Sequence, residues 1–158
     1  MAKGFGMEVF AHDPFLTADQ ITEAGATPVA TTEELYAKAD VLSLHIPATK
    51  ETTGSIGKAL VSSMPENAVL VNTARAEVID EAGLIEALKE RTDLRYLTDI
   101  APSDESDAAL KELGKRYYRT PKKMGAQTAE ANTNAATAGA RQIIAFFEKG
   151  ERPNVVND

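Results

Sequence analysis

Short β-rich runs alternate with stretches of helical periodicity along the chain, and this alternation narrows the possible folds more than any other feature of the sequence. "MEVFAHD" (7–13), "VLSLHI" (41–46), "AVLVNTA" (68–74) and "RYLTDI" (95–100) each lead an apolar run into a polar or charged end. A brief "PVA" (28–30) and a short "YYRT" (117–120) add two more. "VLSLHI" is nearly all apolar until Pro47 stops it, as a strand covered on both faces would be. Strands alternating with helices across short loops make a parallel sheet, so the expected class is α/β with a doubly wound parallel sheet.

The helices carry their own end signals. "ADQITEAGA" reads as a short helix closing on Gly25, and "TTEELYAKA" opens with Thr31 three residues before Glu34, a capping box. "GKALVSSM", "DEAGLIEALKE" with Asp80 as its cap, and "SDAALKELGKR" follow. A long amphipathic pattern runs from Thr128 to about Lys149, with Ile143, Ile144, Phe146 and Phe147 near its end and Gly150 as its stop. At the start, "GFG" (4–6) runs straight into a strand, so it reads as the C-cap of a preceding helical turn and not as a phosphate loop.

Charge limits what such a sheet can bind. Lys and Arg total 17 against 24 Asp and Glu, a formal net charge of −7, which argues against wrapping nucleic acid or lying on an anionic membrane. Small-molecule chemistry is the expectation. The absence of cysteine excludes disulfides, thiolate chemistry and Cys-type zinc sites, and fits a reducing, cytoplasmic setting. His12 and His45 have no paired ligand spacing, so no metal site is expected. No apolar run approaches the roughly 20 residues that span a bilayer, and the start lacks a signal-peptide core. With 158 residues, 43% of them apolar, one core is expected.

In open parallel sheets, ligands bind beyond the carboxyl ends of the strands. Those positions hold Asp13, then His45, Ile46 and Pro47, then Thr73, Ala74 and Arg75, then Asp99, then Pro121, Lys122 and Lys123. Asp13 suits the two ribose hydroxyls of an adenine dinucleotide, or else it is a turn aspartate before Pro14. The nucleotide reading calls for a glycine-rich loop about 20 residues upstream of the acid. Only 12 residues precede Asp13. Arg75, a permanently charged fork after an apolar strand, calls for a carboxylate or phosphate; the internal alternatives are Glu77 and Asp104. Asp99 either accepts from a carboxamide or caps the next turn. Lys111, Lys115, Arg116, Arg119 and Lys122 read mostly as a solvated helix end. Lys123 differs, because Met124 and Gly125 allow a close backbone approach and Thr128 opens a helix whose amides face a ligand.

"SLHIPATKETTGSIGKALVSSMPENAVLVNTAR" and "VIDEAGLIEALKE", in that order, closely resemble the nucleotide-binding domain of the D-2-hydroxyacid dehydrogenases, over about Met7 to Asn157. "TARAEVID", "TDIAPSD" and "TPKKMGAQTAEAN" resemble most the short branch of that family whose hydroxy acid is 3-phosphoglycerate. The resemblance implies a Rossmann-like fold, a homodimer, and hydride transfer between C2 of a 2-hydroxy acid and NAD. It implies that Asp13 holds the adenosine ribose, that His45, Ile46 and Pro47 line the adenine side, and that Thr73 and Ala74 face the nicotinamide ribose. Asp99 holds the carboxamide, Gly125 lies beside the cofactor, and Arg75 binds the substrate carboxylate and carbonyl oxygen. Two positions depart from the family pattern. Ala76 stands where glycine is usual. The family's catalytic histidine, in a "PH-x-G" setting, falls on Lys123, and its supporting glutamate on Asp104, with Glu105 next nearest.

Oxidising a hydroxyl by hydride loss needs a base for the hydroxyl proton, and Lys123 is the expected acid/base, with Lys122 and Arg75 as neighbouring cations that favour its neutral form. Two other functions remain open: a non-catalytic dinucleotide sensor of the same fold, and a fragment with no activity of its own. The expected organisation is a partial NAD-binding domain over 1–150 and, over 151–158, the start of a return segment toward a substrate domain. The first strand and glycine-rich loop of the parent fold are expected to precede Met1, so "MEVFAHD" and "VLSLHI" should flank an interruption in the sheet.

Overall fold

The structure is a computed structural model, and it describes residues 1–121 and 128–152. The chain forms two compact units, Met1–Pro121 and Lys122–Asp158.

The first unit opens with a 3-10 turn, Ala2–Phe5, that ends on Gly6 at φ 77°, the left-handed C-cap expected of "GFG". Strand β1 (Phe10–Ala11) pairs in parallel with β2 (Thr27–Pro28) across helix α1 (Ala18–Glu23). There follow α2 (Thr32–Lys38), β3 (Val41–Leu44), α3 (Lys58–Ser62), β4 (Val69–Asn72), α4 (Glu81–Glu90), β5 (Arg95–Thr98), α5 (Asp104–Lys111), a 3-10 turn (Gly114–Arg116) and β6 (Tyr117–Arg119). Strands β3 to β6 form a four-stranded parallel sheet in chain order, while β1 and β2 form a sheet of their own. No described strand pairs with the free edge of β1 or of β3. The interruption thus falls between "MEVFAHD" and "VLSLHI", and β1 is limited to the two residues that pair with β2.

Register sets the buried face. Leu42, Leu70, Tyr96 and Tyr117 make one row, and Leu44, Asn72, Thr98 and Arg119 the next. Onto this face α3, α4 and α5 bring Val61, Leu84, Ala87, Leu88 and Leu110. Each such buried aliphatic contributes about 1.5–3 kcal/mol relative to exposure. Tyr96 and Tyr117 stack with ring centroids 6.0 Å apart. Gly83 allows α4 to close on α3, since a Cβ there would meet the Lys58 amide nitrogen at 2.8 Å. On the other face Val41 and Tyr118 are each 56% exposed. "VLSLHI" is therefore not covered on both faces: burial alternates along β3, because α3, α4 and α5 pack on one side and successive side chains point to opposite sides.

Capping differs in detail from the sequence reading. The Thr31 hydroxyl accepts from the Glu34 amide, but the Glu34 carboxylate turns to the Ala30 amide and the Lys38 ammonium, so only half the expected box forms. The complete reciprocal box lies at Thr17 and Gln20. Asp80 caps α4 as expected, accepting from the Gly83 amide.

Charged side chains close both ends of the sheet, Arg91, Asp93 and Arg116 at the amino ends of the strands and Arg119 with Asp107 at the carboxyl end of β6. Arg91 donates to the carbonyls of Ser62, Met64 and Pro65 and pairs with Asp93 at 2.7 Å. The Arg91 guanidinium, and after it the Asn67 amide, hold the Asp93 carboxyl well below the usual carboxylate range. Arg116 donates to the carbonyls of Leu88, Arg91 and Leu94. Arg119 and Lys111 both pair with Asp107, which also accepts from the Tyr117 hydroxyl. Lys111, then Tyr117 and Arg119, lower the Asp107 pKa to about 2. The basic cluster read as a solvated helix end is thus largely engaged, because the free carbonyls that follow α4 and a buried carboxylate compete for it.

In the second unit, α6 (Ala129–Lys149) starts at Thr128, whose hydroxyl accepts from the Ala131 amide, and stops at Gly150 with φ 69°, both as expected. Among the described residues no helix is long and apolar enough to cross a membrane.

Candidate functional site

The last register row, Leu44, Asn72, Thr98 and Arg119, brings the residues that follow it level: His45, Thr73, Asp99 and Thr120. A seam of hydrogen bonds ties these ends together. The Thr120 amide donates to the Thr98 carbonyl at 3.0 Å, and the Asp99 amide to the Asn72 carbonyl at 3.4 Å. The Thr98 hydroxyl donates to the same Asn72 carbonyl at 2.8 Å. Asn72, which the sequence reading passed over, accepts the Ala74 amide at 3.0 Å and donates to the Arg75 carbonyl at 2.9 Å. Its one signal in the sequence was an amide inside the apolar "VLVNT".

Arg75 is exposed, and its guanidinium folds back on the Ala74 carbonyl at 2.7 Å. Among the described residues it pairs with no carboxylate, so neither internal alternative, Glu77 or Asp104, is realised. Asp104 is the exposed first residue of α5, directly after the cap Ser103, whose amide and hydroxyl are taken by Glu81. Burial alone would raise the Glu81 pKa, but the bonds from Ser103 and Ser106 prevail and lower it. Ala76, in place of the family's glycine, is accommodated without strain: among the described residues only Asn67 is a non-glycine with positive φ.

Asp99 Oδ1 and Thr120 Oγ1 are buried atoms without a hydrogen-bond partner among the described residues. A buried acceptor left in that condition costs about 1–3 kcal/mol. An amide donor such as the carboxamide of a nicotinamide fits Asp99. Asp13 follows β1; its Oδ1 accepts the Phe15 amide at 2.8 Å, the turn-aspartate geometry, and Oδ2 makes no bond among the described residues. The turn-aspartate alternative is therefore realised through Oδ1. His45 is exposed with Nε2 3.0 Å from the Ser43 hydroxyl, Ile46 packs against the core, and the Pro47 carbonyl accepts the Thr52 hydroxyl at 2.6 Å. Thr73 is exposed and Ala74 buried. Lys123 and Gly125 lie outside the described residues. Among the described residues no group of His, Asp and Glu could hold a metal ion.

The chain matches the family model described as D-isomer specific 2-hydroxyacid dehydrogenase, NAD binding domain, over residues 1–134. It is 36% identical to D-3-phosphoglycerate dehydrogenase of Methanocaldococcus jannaschii, covering 99% of this chain and 30% of the relative. It is also 36% identical to the glyoxylate reductase of Thermococcus litoralis, covering 99% and 46%. Among solved structures, the NAD+-bound 3-phosphoglycerate dehydrogenase of Entamoeba histolytica superimposes with a TM-score of 0.84 at 43% identity, covering 99% of this chain and 49% of that one. The chain belongs to the D-isomer specific 2-hydroxyacid dehydrogenase family and corresponds to its NAD-binding domain. Its fold is the Rossmann-like parallel α/β fold of that domain, and its cofactor is NAD. The chain spans under half the length of these relatives.

Proposed function

We propose that this chain is the dinucleotide-binding part of an NAD-dependent D-3-phosphoglycerate dehydrogenase, which oxidises 3-phospho-D-glycerate to 3-phosphohydroxypyruvate on the way to serine. The observation that carries the reading is the level row of His45, Thr73 and Asp99, with an unsatisfied Asp99 acceptor and an Arg75 that has no internal counter-ion among the described residues. Residues 1–150 are part of the NAD-binding domain, and 151–158 begin the return toward the substrate-binding part. The enzyme works in the cytoplasm as a homodimer, with no nucleic-acid or membrane partner; the acidic composition and the absence of cysteine support that setting.

When bound, NAD accepts the hydride from C2 of the substrate. Asp13 Oδ2 accepts from the adenosine ribose, His45, Ile46 and Pro47 flank the adenine, and Thr73 and Ala74 border the nicotinamide ribose. Asp99 Oδ1 takes the carboxamide, which fixes the face of the ring, and Gly125 lets the backbone approach it. Arg75 grips the substrate carboxylate and the oxygen on C2, which orients the C2 hydrogen. Lys123 removes the hydroxyl proton as the hydride departs and returns one in the reverse direction. Asp104 is the candidate supporting acid.

The glyoxylate reductase among the relatives supports a second substrate reading, a small 2-oxo acid without phosphate. NADH oxidation by the full chain with 3-phosphohydroxypyruvate and with glyoxylate separates the two: the first is expected to give the larger kcat/KM. Lys123→Ala should abolish the pH-dependent limb of hydroxy-acid oxidation. A variant that retains this limb and near-normal turnover removes Lys123 from the mechanism, and a wild type that binds NADH but reduces neither acid leaves a dinucleotide sensor or a fragment with no activity of its own.

A further inference from the structure

One buried side chain holds the turn that follows β4. Asn72 is 1% exposed, and its carboxamide reaches forward along the chain, with Oδ1 accepting the Ala74 amide and Nδ2 donating to the Arg75 carbonyl. The other contact of Nδ2, with the Tyr96 hydroxyl at 3.5 Å, is weak. A small cavity lined by Asn72, Ala76, Tyr96 and Ile100 among others lies beside the turn. Only a side chain with an acceptor and a donor on one planar group can make both bonds. The Asn72 carbonyl meanwhile takes the Asp99 amide and the Thr98 hydroxyl.

We propose that Asn72 is a positioning residue for Arg75, setting the direction in which the guanidinium leaves the sheet by clamping the 74–75 backbone. This rests on the reading of Arg75 as the group that binds the substrate acid. Through its carbonyl the same residue also anchors Asp99, so the anion-binding and carboxamide-binding groups share one support.

Asn72→Asp tests the idea because it keeps the acceptor and replaces the donor by a carboxylate oxygen facing the Arg75 carbonyl. Burial raises the pKa of that carboxyl, and its protonated form regains a donor. Function should therefore be lost above the raised pKa and recovered below it. In the full chain, the KM of Asn72→Asp for glyoxylate is expected to rise about tenfold at pH 8, the size of one lost hydrogen bond, and to fall back toward wild type on acidification. NADH affinity should stay close to wild type throughout. A KM equal to wild type at every pH, or a loss that is pH-independent and matched by a loss of NADH affinity, overturns the proposal. A second measurement needs no turnover: backbone 15N relaxation of Arg75 and Ala76 in the ligand-free protein. Asn72→Asp should loosen both residues at pH 8 and not at low pH. Asn72→Ala, whose methyl group makes neither bond, should loosen them at any pH and serves if the aspartate variant does not fold. Wild-type relaxation in the variant that folds, at pH 8, overturns the clamp. A wild-type protein that turns over no 2-oxo acid instead overturns the activity and leaves relaxation to decide the role of Asn72.

Discussion

At the amino ends of the four-stranded sheet, Arg91 and Arg116 are surrounded by carbonyl oxygens, and Asp93 lies against Arg91 and the Asn67 amide. At the carboxyl ends, Arg75 meets only the carbonyl of its neighbour, and Asp99 Oδ1 and Thr120 Oγ1 have no partner among the described residues. Both ends carry arginine and aspartate, so residue type does not distinguish them. What differs is whether the chain itself completes the hydrogen bonds, as it does at the carboxyl end for Arg119 with Asp107 but not for Arg75 and Asp99 Oδ1 among the described residues. Where it does, the charged groups hold α3, α4 and β5 together. Where it does not, polar groups remain available to a ligand at some cost in stability, the usual exchange between stability and function.

The comparison predicts opposite responses to substitution at the two ends. Arg91→Leu should lower stability by about 2–4 kcal/mol, since it strands three carbonyls and the Asp93 carboxylate. Urea unfolding gives that loss, and NAD affinity measured by calorimetry on the folded fraction should not change. Asp99→Ala should do the reverse, weakening NAD binding about tenfold while unfolding free energy holds or rises, by up to about 1–3 kcal/mol, as the unpartnered buried oxygen is removed. A large stability loss there would mean that the carboxyl ends are structural too.

Acid titration sharpens the contrast. The folded Asp93 carboxyl has a depressed pKa, so its contribution is fully present above the ordinary aspartate value near 4 and is lost progressively as pH falls below it. Asp107, lowered to about 2, acts in the same direction. Unfolding free energy measured from pH 7 to pH 3 should therefore fall at the acid end, and Asp93→Asn should flatten that fall. An unchanged acid limb would show that the Arg91 pair does not act as described. The smallest effect belongs to Tyr36, 1% exposed in the core with a hydroxyl that has no partner among the described residues. Tyr36→Phe should raise stability by up to about 1 kcal/mol in thermal unfolding. A loss would point to a hydrogen bond not seen here.

Much of the frame was legible because caps are local. Asp80, Thr128, Gly6 and Gly150 act within a few residues of their own positions, and the sequence shows them directly. The succession of strands along the chain and the positions that follow them were legible because each apolar run ends in its own polar residues. The open face of β3 was not, since coverage depends on where α3, α4 and α5 pack. Nor was the work of Arg91 and Arg116 on carbonyls that lie more than 20 positions away along the chain. Within the site, the row of His45, Thr73 and Asp99 followed from strand order. The two bonds of Asn72 did not, because an amide at the end of an apolar run says nothing of the direction in which it points.

Sheet register has a consequence for how this region can fail. Leu42, Leu70, Tyr96 and Tyr117 lie opposite one another two residues before the strand ends. A strand slipped by one position moves about 3.3 Å and turns its side chains over, so Asn72 would face outward and Thr73 inward. Damage to that inner row should accordingly abolish alignment at the rim in a single step, with no half-aligned form between, although none of those four side chains touches a ligand in the proposed scheme.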